Sequence, residues 1–160
     1  MINPITIELP WPPSTNTFLR HVILPIGKGT PRCPQCKQYF KTRSCTLISE
    51  AGRDFLRVVD RMLYALDLPL MHGPLAIDVV LHPPNQRVID LDNRLKAIQD
   101  SLKRRPKDEH QTRWLFADDD SQIGDVHLSR GPIVPGGKAV VKISTLAGVE
   151  VQPAFFGEET

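Results

Sequence analysis

Residues 75–102 read Leu-Ala-Ile-Asp-Val-Val-Leu-His-Pro-Pro-Asn-Gln-Arg-Val-Ile-Asp-Leu-Asp-Asn-Arg-Leu-Lys-Ala-Ile-Gln-Asp-Ser-Leu, and the period of the apolar residues changes midway. Leu75, Ile77, Val79 and Leu81 alternate with Ala76, Asp78, Val80 and His82, as in a central strand with one buried face. Pro83-Pro84 closes that strand, because proline cannot donate to a ladder. From about Asp92 to Leu102 the spacing becomes helical, with Leu91, Leu95, Ile98 and Leu102 as the apolar stripe.

Working outward, Ile5, Ile7 and Leu9 predict an opening strand, stopped by Pro10-Trp11-Pro12-Pro13-Ser14. Residues 20–48 read as irregular or hairpin-like. Ser49 is placed to cap a helix whose apolar face is Phe55, Val58, Val59, Met62, Leu63 and Leu66, with Pro69 ending the segment. Beyond Leu102, residues 103–117 read as a polar loop and about 125–129 as a strand. Gly136-Gly137 then turns the chain into a last strand carrying Ala139, Val141 and Ile143. The expectation is an α+β fold, a small mixed β-sheet with two main helices packed on it.

The chain has 160 residues, 41% apolar and 24% charged, which fits one ordinary globular domain. No apolar run approaches the ~20 residues of a membrane span, so no membrane partner is expected. Met1-Ile2-Asn3-Pro4 carries neither the basic start nor the apolar stretch of a secretory signal, and a cytoplasmic location is expected.

Net charge is only +2, but it is unevenly spread. Lys28, Arg32, Lys37, Lys41 and Arg43 lie within residues 27–43, which hold no acid. Lys103, Arg104, Arg105, Lys107 and Arg113 lie within 101–113, against Asp108 and Glu109. Asp118, Asp119, Asp120 and Asp125 then follow with no base among them. Two basic segments beside an acidic cluster suit a protein that grips phosphate and holds a cation, although solvated loops give the same pattern.

The acids have a suggestive spacing. Asp90 and Asp92 are at i and i+2, which points both side chains the same way if the segment is extended. Asp92 can also cap the helix, along whose face Lys96 and Asp100 follow. Mutual repulsion makes such a cluster costly without a cation, and hard oxygen ligands select Mg²⁺ or Mn²⁺. Such ions activate water for in-line phosphoryl displacement. The same residues taken alone also read as an N-cap and a solvated turn.

Taken together, the motifs narrow this choice. They are Leu9-Pro10-Trp11-Pro12-Pro13-Ser14-x-Asn16 with Arg20-His21, then Asp90-Leu91-Asp92-Asn93-x-x-Lys96 with Asp100-x-Leu102, then Asp119-Asp120-x-Gln122. With these pieces, in this order and across most of its length, the chain resembles the RusA family of Holliday-junction resolvases. The resemblance implies a homodimer that makes paired, metal-dependent cuts in four-way DNA junctions, in a bacterial cytoplasm whether the gene is bacterial or phage-borne. It implies that Asp90, Asp92 and Asp120 bind Mg²⁺ or Mn²⁺, with Asp119 an adjacent acid, and that Lys96 is needed for cleavage. Asp120 is assigned because it keeps the Asp-x-Gln spacing. Lys96 would orient the nucleophile or offset charge on the phosphorane, and the sequence leaves both open. Arg20, Lys28, Arg43, Arg87, Asn93, Arg104, Arg105 and Lys107 are the expected DNA contacts.

The chain departs from the family pattern in three places. Gln86-Arg87-Val88-Ile89 is less basic than usual, and the loop 103–117 is longer. Residues 22–45 look inserted into a single domain spanning 1–151, with 152–160 a flexible tail. The insertion carries all three cysteines. Cys33-Pro34-Gln35-Cys36 has the spacing of a zinc knuckle, Cys45 follows, and His21 is a candidate fourth ligand for a structural Zn²⁺. Reduced thiols on a basic hairpin are the alternative. Trp114, in the basic loop, is the better candidate for stacking on an unpaired base, and Trp11 reads as core. The rival reading of the whole chain is a non-catalytic DNA-binding module organised by zinc, which leaves the Asp90–Lys96 spacing unexplained.

Overall fold

The computed structural model describes residues 4–26, 31–38, 42–105, 110–116 and 120–146. The expected α+β architecture is present. Strands β1 (Ile5–Pro10), β4 (Leu75–His82), β5 (Ile123–Arg130) and β6 (Lys138–Thr145) form one sheet in the order β1-β6-β4-β5. β6 runs antiparallel to β1 and β4, whereas β4 and β5 are parallel, so the sheet is mixed. The parallel pair is joined through helix α3 (Asp92–Leu102), because parallel neighbours need a crossover.

One face of this sheet is the core. Ile5, Ile7 and Leu9 of β1, Leu75, Ile77, Val79 and Leu81 of β4, and Ala139, Val141 and Ile143 of β6 are all buried. Each large apolar side chain so buried contributes about 1.5–3 kcal/mol. Glu8, Asp78, His127, Lys138 and Lys142 belong to the other face, where Glu8 pairs with Lys138 and Asp78 with His127. Helix α2 (Glu50–Leu66) packs against α3 and β1, and the short helix α1 (Thr15–Phe18) lies between α2 and α3. Ser49 caps α2 as expected, its hydroxyl accepting from Gly52 N–H at 3.0 Å. Gly52 is required by closeness, since a Cβ there would stand 2.6 Å from Phe18 O.

Two expectations need correction. The buried face of α2 is Gly52, Phe55, Leu56, Val59, Asp60 and Leu63, while Val58 and Leu66 are exposed. The stripe is rotated because a buried carboxylate belongs to it. Asp60 accepts from the N–H groups of Thr112 and Arg113, both at 2.9 Å, and from the Thr112 hydroxyl. The segment 103–117 is likewise not simply polar. Leu115 and Phe116 are fully buried, and Leu115 N–H donates to Leu102 O while Met71 N–H donates to Leu115 O.

The inserted segment forms a separate two-stranded hairpin, β2 (Leu19–Pro25) against β3 (Thr42–Ile48). Of the described helices, none is long and apolar enough to cross a membrane. The proposed tail 152–160 lies outside the described residues.

Candidate active site

The acidic motif opens α3, and its local geometry differs from the extended arrangement. Leu91 is α-helical (φ −70°, ψ −46°) and is itself the N-cap, so Asp92 belongs to the first turn and does not cap the helix. Asn93 organises the two acids instead. Its side-chain amide donates to Asp90 Oδ2 at 2.8 Å, and its backbone N–H donates to Asp92 Oδ1 at 2.9 Å. One asparagine thus holds both exposed carboxylates, and a second oxygen remains on each.

Lys96, one turn further on, is ion-paired with Asp100 Oδ1 at 3.0 Å, and Lys103 meets the same oxygen at 2.9 Å. Asp100 is nearly buried, and both of these contacts are to amines. It fixes where the Lys96 ammonium sits and is not a further member of the Asp90–Asp92 pair.

The proline-rich opening buttresses the same helix end. Arg94 donates to Pro12 O, and its guanidinium lies 4.4 Å from the centre of the Trp11 ring. Burial pushes the Arg94 pKa below its ordinary value, and its Nε finds no acceptor among the described residues. Gly137 packs on the Trp11 ring, where a Cβ would come within 3.0 Å, and its φ of +68° favours glycine. Thr15 adds a bond from its hydroxyl to Asn93 O at 2.9 Å. Trp11 is therefore a half-buried platform under the site. Beside it, Thr15, Asn16, Leu19, Arg20 and His21 line an open cleft of about 330 Å³.

Asp120 begins a 3-10 turn, Asp120–Gln122, leading into β5. The Gln122 amide is buried and donates to Met71 O at 3.1 Å and Gly73 O at 2.9 Å. Met71 is in turn tied through Leu115 to Leu102, the last residue of α3. The turn therefore lies at the end of the sheet where α3 finishes, whereas Asp90 and Asp92 stand where α3 begins. An 11-residue helix is roughly 16 Å long. Within one chain the structure brings Asp90 and Asp92 together and leaves the Asp120 turn about a helix length away. Asp119 lies outside the described residues.

The expected DNA contacts divide. Arg20, Arg43, Arg87 and Arg104 are exposed, and the Arg104 guanidinium lies 5.4 Å from the centre of the Trp114 ring, which covers the proposed stacking face. Arg105 is turned back to donate to Asp100 O and Ser101 O at the end of α3, and Asn93 is engaged by the acids. Lys28 and Lys107 lie outside the described residues.

On the hairpin, His21 pairs with Thr46 and Cys45 with Val22. Adjacent rungs alternate faces, so His21 and Cys45 point to opposite sides, and His21 Nδ1 is taken by the Thr46 hydroxyl at 2.9 Å. The Cys33 thiol is held below its ordinary pKa by hydrogen bonds from Cys36 and Gln35 N–H and from the Cys36 side chain.

Against known proteins, no protein-family model matches the chain. It is 32% identical over 149 residues to the crossover junction endodeoxyribonuclease RusA of Enterobacteria phage HK97, covering 92% of this chain and all of that protein. The chain belongs to the RusA family. The RusA proteins of Shigella sonnei and Enterobacteria phage 82 are each 30% identical over 147 residues, 91% of this chain and 98% of theirs. Sequence reasoning missed Arg94, Thr15 and the supporting role of Asn93. Their signal was position alone, next to the acids or beside the proline-rich motif.

Proposed function

We propose that the chain is a structure-specific endodeoxyribonuclease that resolves four-way DNA junctions by paired phosphodiester hydrolysis. The observation that carries this reading is the Asn93-organised pair Asp90–Asp92 at the start of α3, in a chain whose relatives are named for that activity. Two hard, exposed carboxylates fit Mg²⁺ or Mn²⁺, and the ion when bound activates water and neutralises charge at the scissile phosphate.

The chain's own residues supply the rest. Asn93 keeps the two carboxylates in one orientation, and Trp11, Arg94 and Pro12 hold that helix end in place. Lys96, aligned by Asp100, offers a positive charge to the phosphorane. Arg20, beside the cleft, and the exposed Arg43, Arg87 and Arg104, with Lys28 and Lys107, would contact the junction's phosphates.

Asp120, if it joins Asp90 and Asp92 at one ion, does so from a second copy, because its own turn lies at the far end of α3. A homodimer then contains two composite sites related by a twofold axis, as paired symmetric nicks need. The nuclease domain is taken as 1–151, acting in the cytoplasm of a bacterial host.

Cleavage of a labelled four-way junction and a matched linear duplex in Mg²⁺, for the native chain and Asp92→Asn, tests the reading. Paired, symmetric nicks confined to the junction and lost in the variant are expected. Binding of the junction by both proteins with no cutting in Mg²⁺ or Mn²⁺ would overturn it.

A further inference from the structure

The hairpin between β2 and β3 carries a feature that junction cleavage does not require. Cys33 N–H donates to Gln38 O at 2.7 Å, and Lys37 N–H donates to Cys33 O at 2.9 Å. Lys37 is held in the left-handed region at φ 61°, where a lysine is strained. The result is a tight turn with Cys33 and Cys36 on it, in which hydrogen bonding from the Cys36 and Gln35 backbone holds the Cys33 thiol below its ordinary pKa. Cys36 is exposed and Cys33 half-buried, and both are free. N–H groups aimed at a sulfur stabilise thiolate, and two adjacent thiolates on one turn make half of a tetrahedral soft-metal site.

The described residues of the same chain do not supply the other half. A closed zinc site takes four ligands. Among the described residues no three His, Cys, Asp or Glu side chains gather as a metal-binding group. Cys45 is three rungs in from the open end of the hairpin at Pro25–Thr42, roughly 10 Å along the strand, and His21 is on the opposite face.

We propose that Cys33 and Cys36 form half of a Zn²⁺ site that two copies of the chain complete, one ion being held by four thiolates between two hairpins. Charge favours the arrangement. Four thiolates around Zn²⁺ carry a net charge of −2, set among Arg32 and Lys37 of each copy, which would otherwise repel. Apolar exposure favours it as well. Ile23 is 72% and Ile26 52% exposed, and a lone two-stranded hairpin is marginal in water. A second hairpin alongside would cover those side chains. The proposal is independent of the nuclease reading.

Zinc bound per chain, measured on the full-length protein after gel filtration, tests it, with Co²⁺ titration of the metal-stripped protein as a second readout. Half an equivalent of zinc is expected in the native chain and in Cys45→Ser, and none in Cys33→Ser or Cys36→Ser. Co²⁺ should saturate at half an equivalent with the intense charge-transfer absorption of thiolate ligation. That titration needs no variant, so a misfolded serine mutant does not decide the matter. One zinc per chain, loss of zinc in Cys45→Ser, or no zinc with the thiols free or joined as a disulfide would each overturn the proposal.

Discussion

The side-chain amide of Asn93 donates to Asp90 Oδ2 at 2.8 Å while the backbone N–H of the same residue donates to Asp92 Oδ1 at 2.9 Å. Two carboxylates that would otherwise repel are thus oriented by one residue between them and the helix. Replacing Asn93 by Ala removes the first bond and keeps the second. Loss of an orienting partner of a metal ligand costs about 10–100-fold. Asn93→Ala should therefore cut a four-way junction about that much more slowly in Mg²⁺, with junction binding in a band-shift assay changed far less. An equal fall in binding and cutting would place Asn93 on the DNA instead.

Gln122 is an anchor for the turn that carries Asp120. Its buried Nε2 donates to two backbone carbonyls, Met71 O and Gly73 O. Gln122→Glu would turn a carboxylate oxygen towards both carbonyls, leaving the buried Met71 O and the part-buried Gly73 O unpaired. A loss of about 1–3 kcal/mol at neutral pH is expected by urea unfolding. The deficit should shrink as pH falls through the pKa of the new carboxyl, because only the protonated acid can donate to a carbonyl. A pH-independent deficit would argue against this account.

The contrast between these two residues shows what the sequence made legible. Periodicity was enough for β1, β4 and β6, because their buried rows are apolar and regular, and Ser49 announced the start of α2; in α3 it gave the helix, but Asp100 and Ser101 are buried beside Ile98 and Leu102. It misplaced the face of α2, since Asp60 is a carboxylate in an apolar stripe and its partners, Thr112 and Arg113, are far along the chain. It also passed over Leu115 and Phe116, two apolar residues following a basic loop. The family resemblance named Asp90, Asp92 and Asp120 as one set. Only the strand order shows that the last stands at the other end of α3, because one-dimensional spacing carries no information about which end of a crossover a loop occupies.

Asp100 acts through Lys96. Its Oδ1 lies 3.0 Å from Lys96 Nζ and 2.9 Å from Lys103 Nζ, and it is nearly buried. Asp100→Asn keeps the shape and removes the charge that aligns the ammonium. Junction cleavage at saturating Mg²⁺ should fall about tenfold, a loss of ~1.4 kcal/mol of transition-state stabilisation, with KM for the junction little changed. A merely structural role would instead lower the unfolding midpoint and leave kcat of the folded enzyme intact.

Arg94 joins the proline-rich opening to the site helix through Pro12 O and the Trp11 ring. Lysine keeps the charge but has no planar fork to stack and reach the carbonyl together. Arg94→Lys should cost about 1–2 kcal/mol in urea unfolding and shift Trp11 fluorescence, read in a Trp114→Phe background. An unshifted spectrum with native stability would show that the stack does not hold the helix end.

The separation of Asp120 from Asp90 and Asp92 along α3 makes a prediction that does not depend on any single variant's activity. If each site takes Asp90 and Asp92 from one copy and Asp120 from the other, Asp92→Asn and Asp120→Asn should each abolish junction cutting alone. When the two are unfolded together and refolded at equal concentration, about half the dimers are mixed by random pairing. In each mixed dimer one site collects both substitutions and the other is wholly native. About a quarter of the native nicking should return, as single nicks in one strand rather than paired ones. Denaturing gels of a junction labelled on each strand in turn distinguish the two. Were Asp120 to serve the site of its own chain, every site in the mixture would carry one substitution and no cutting would return.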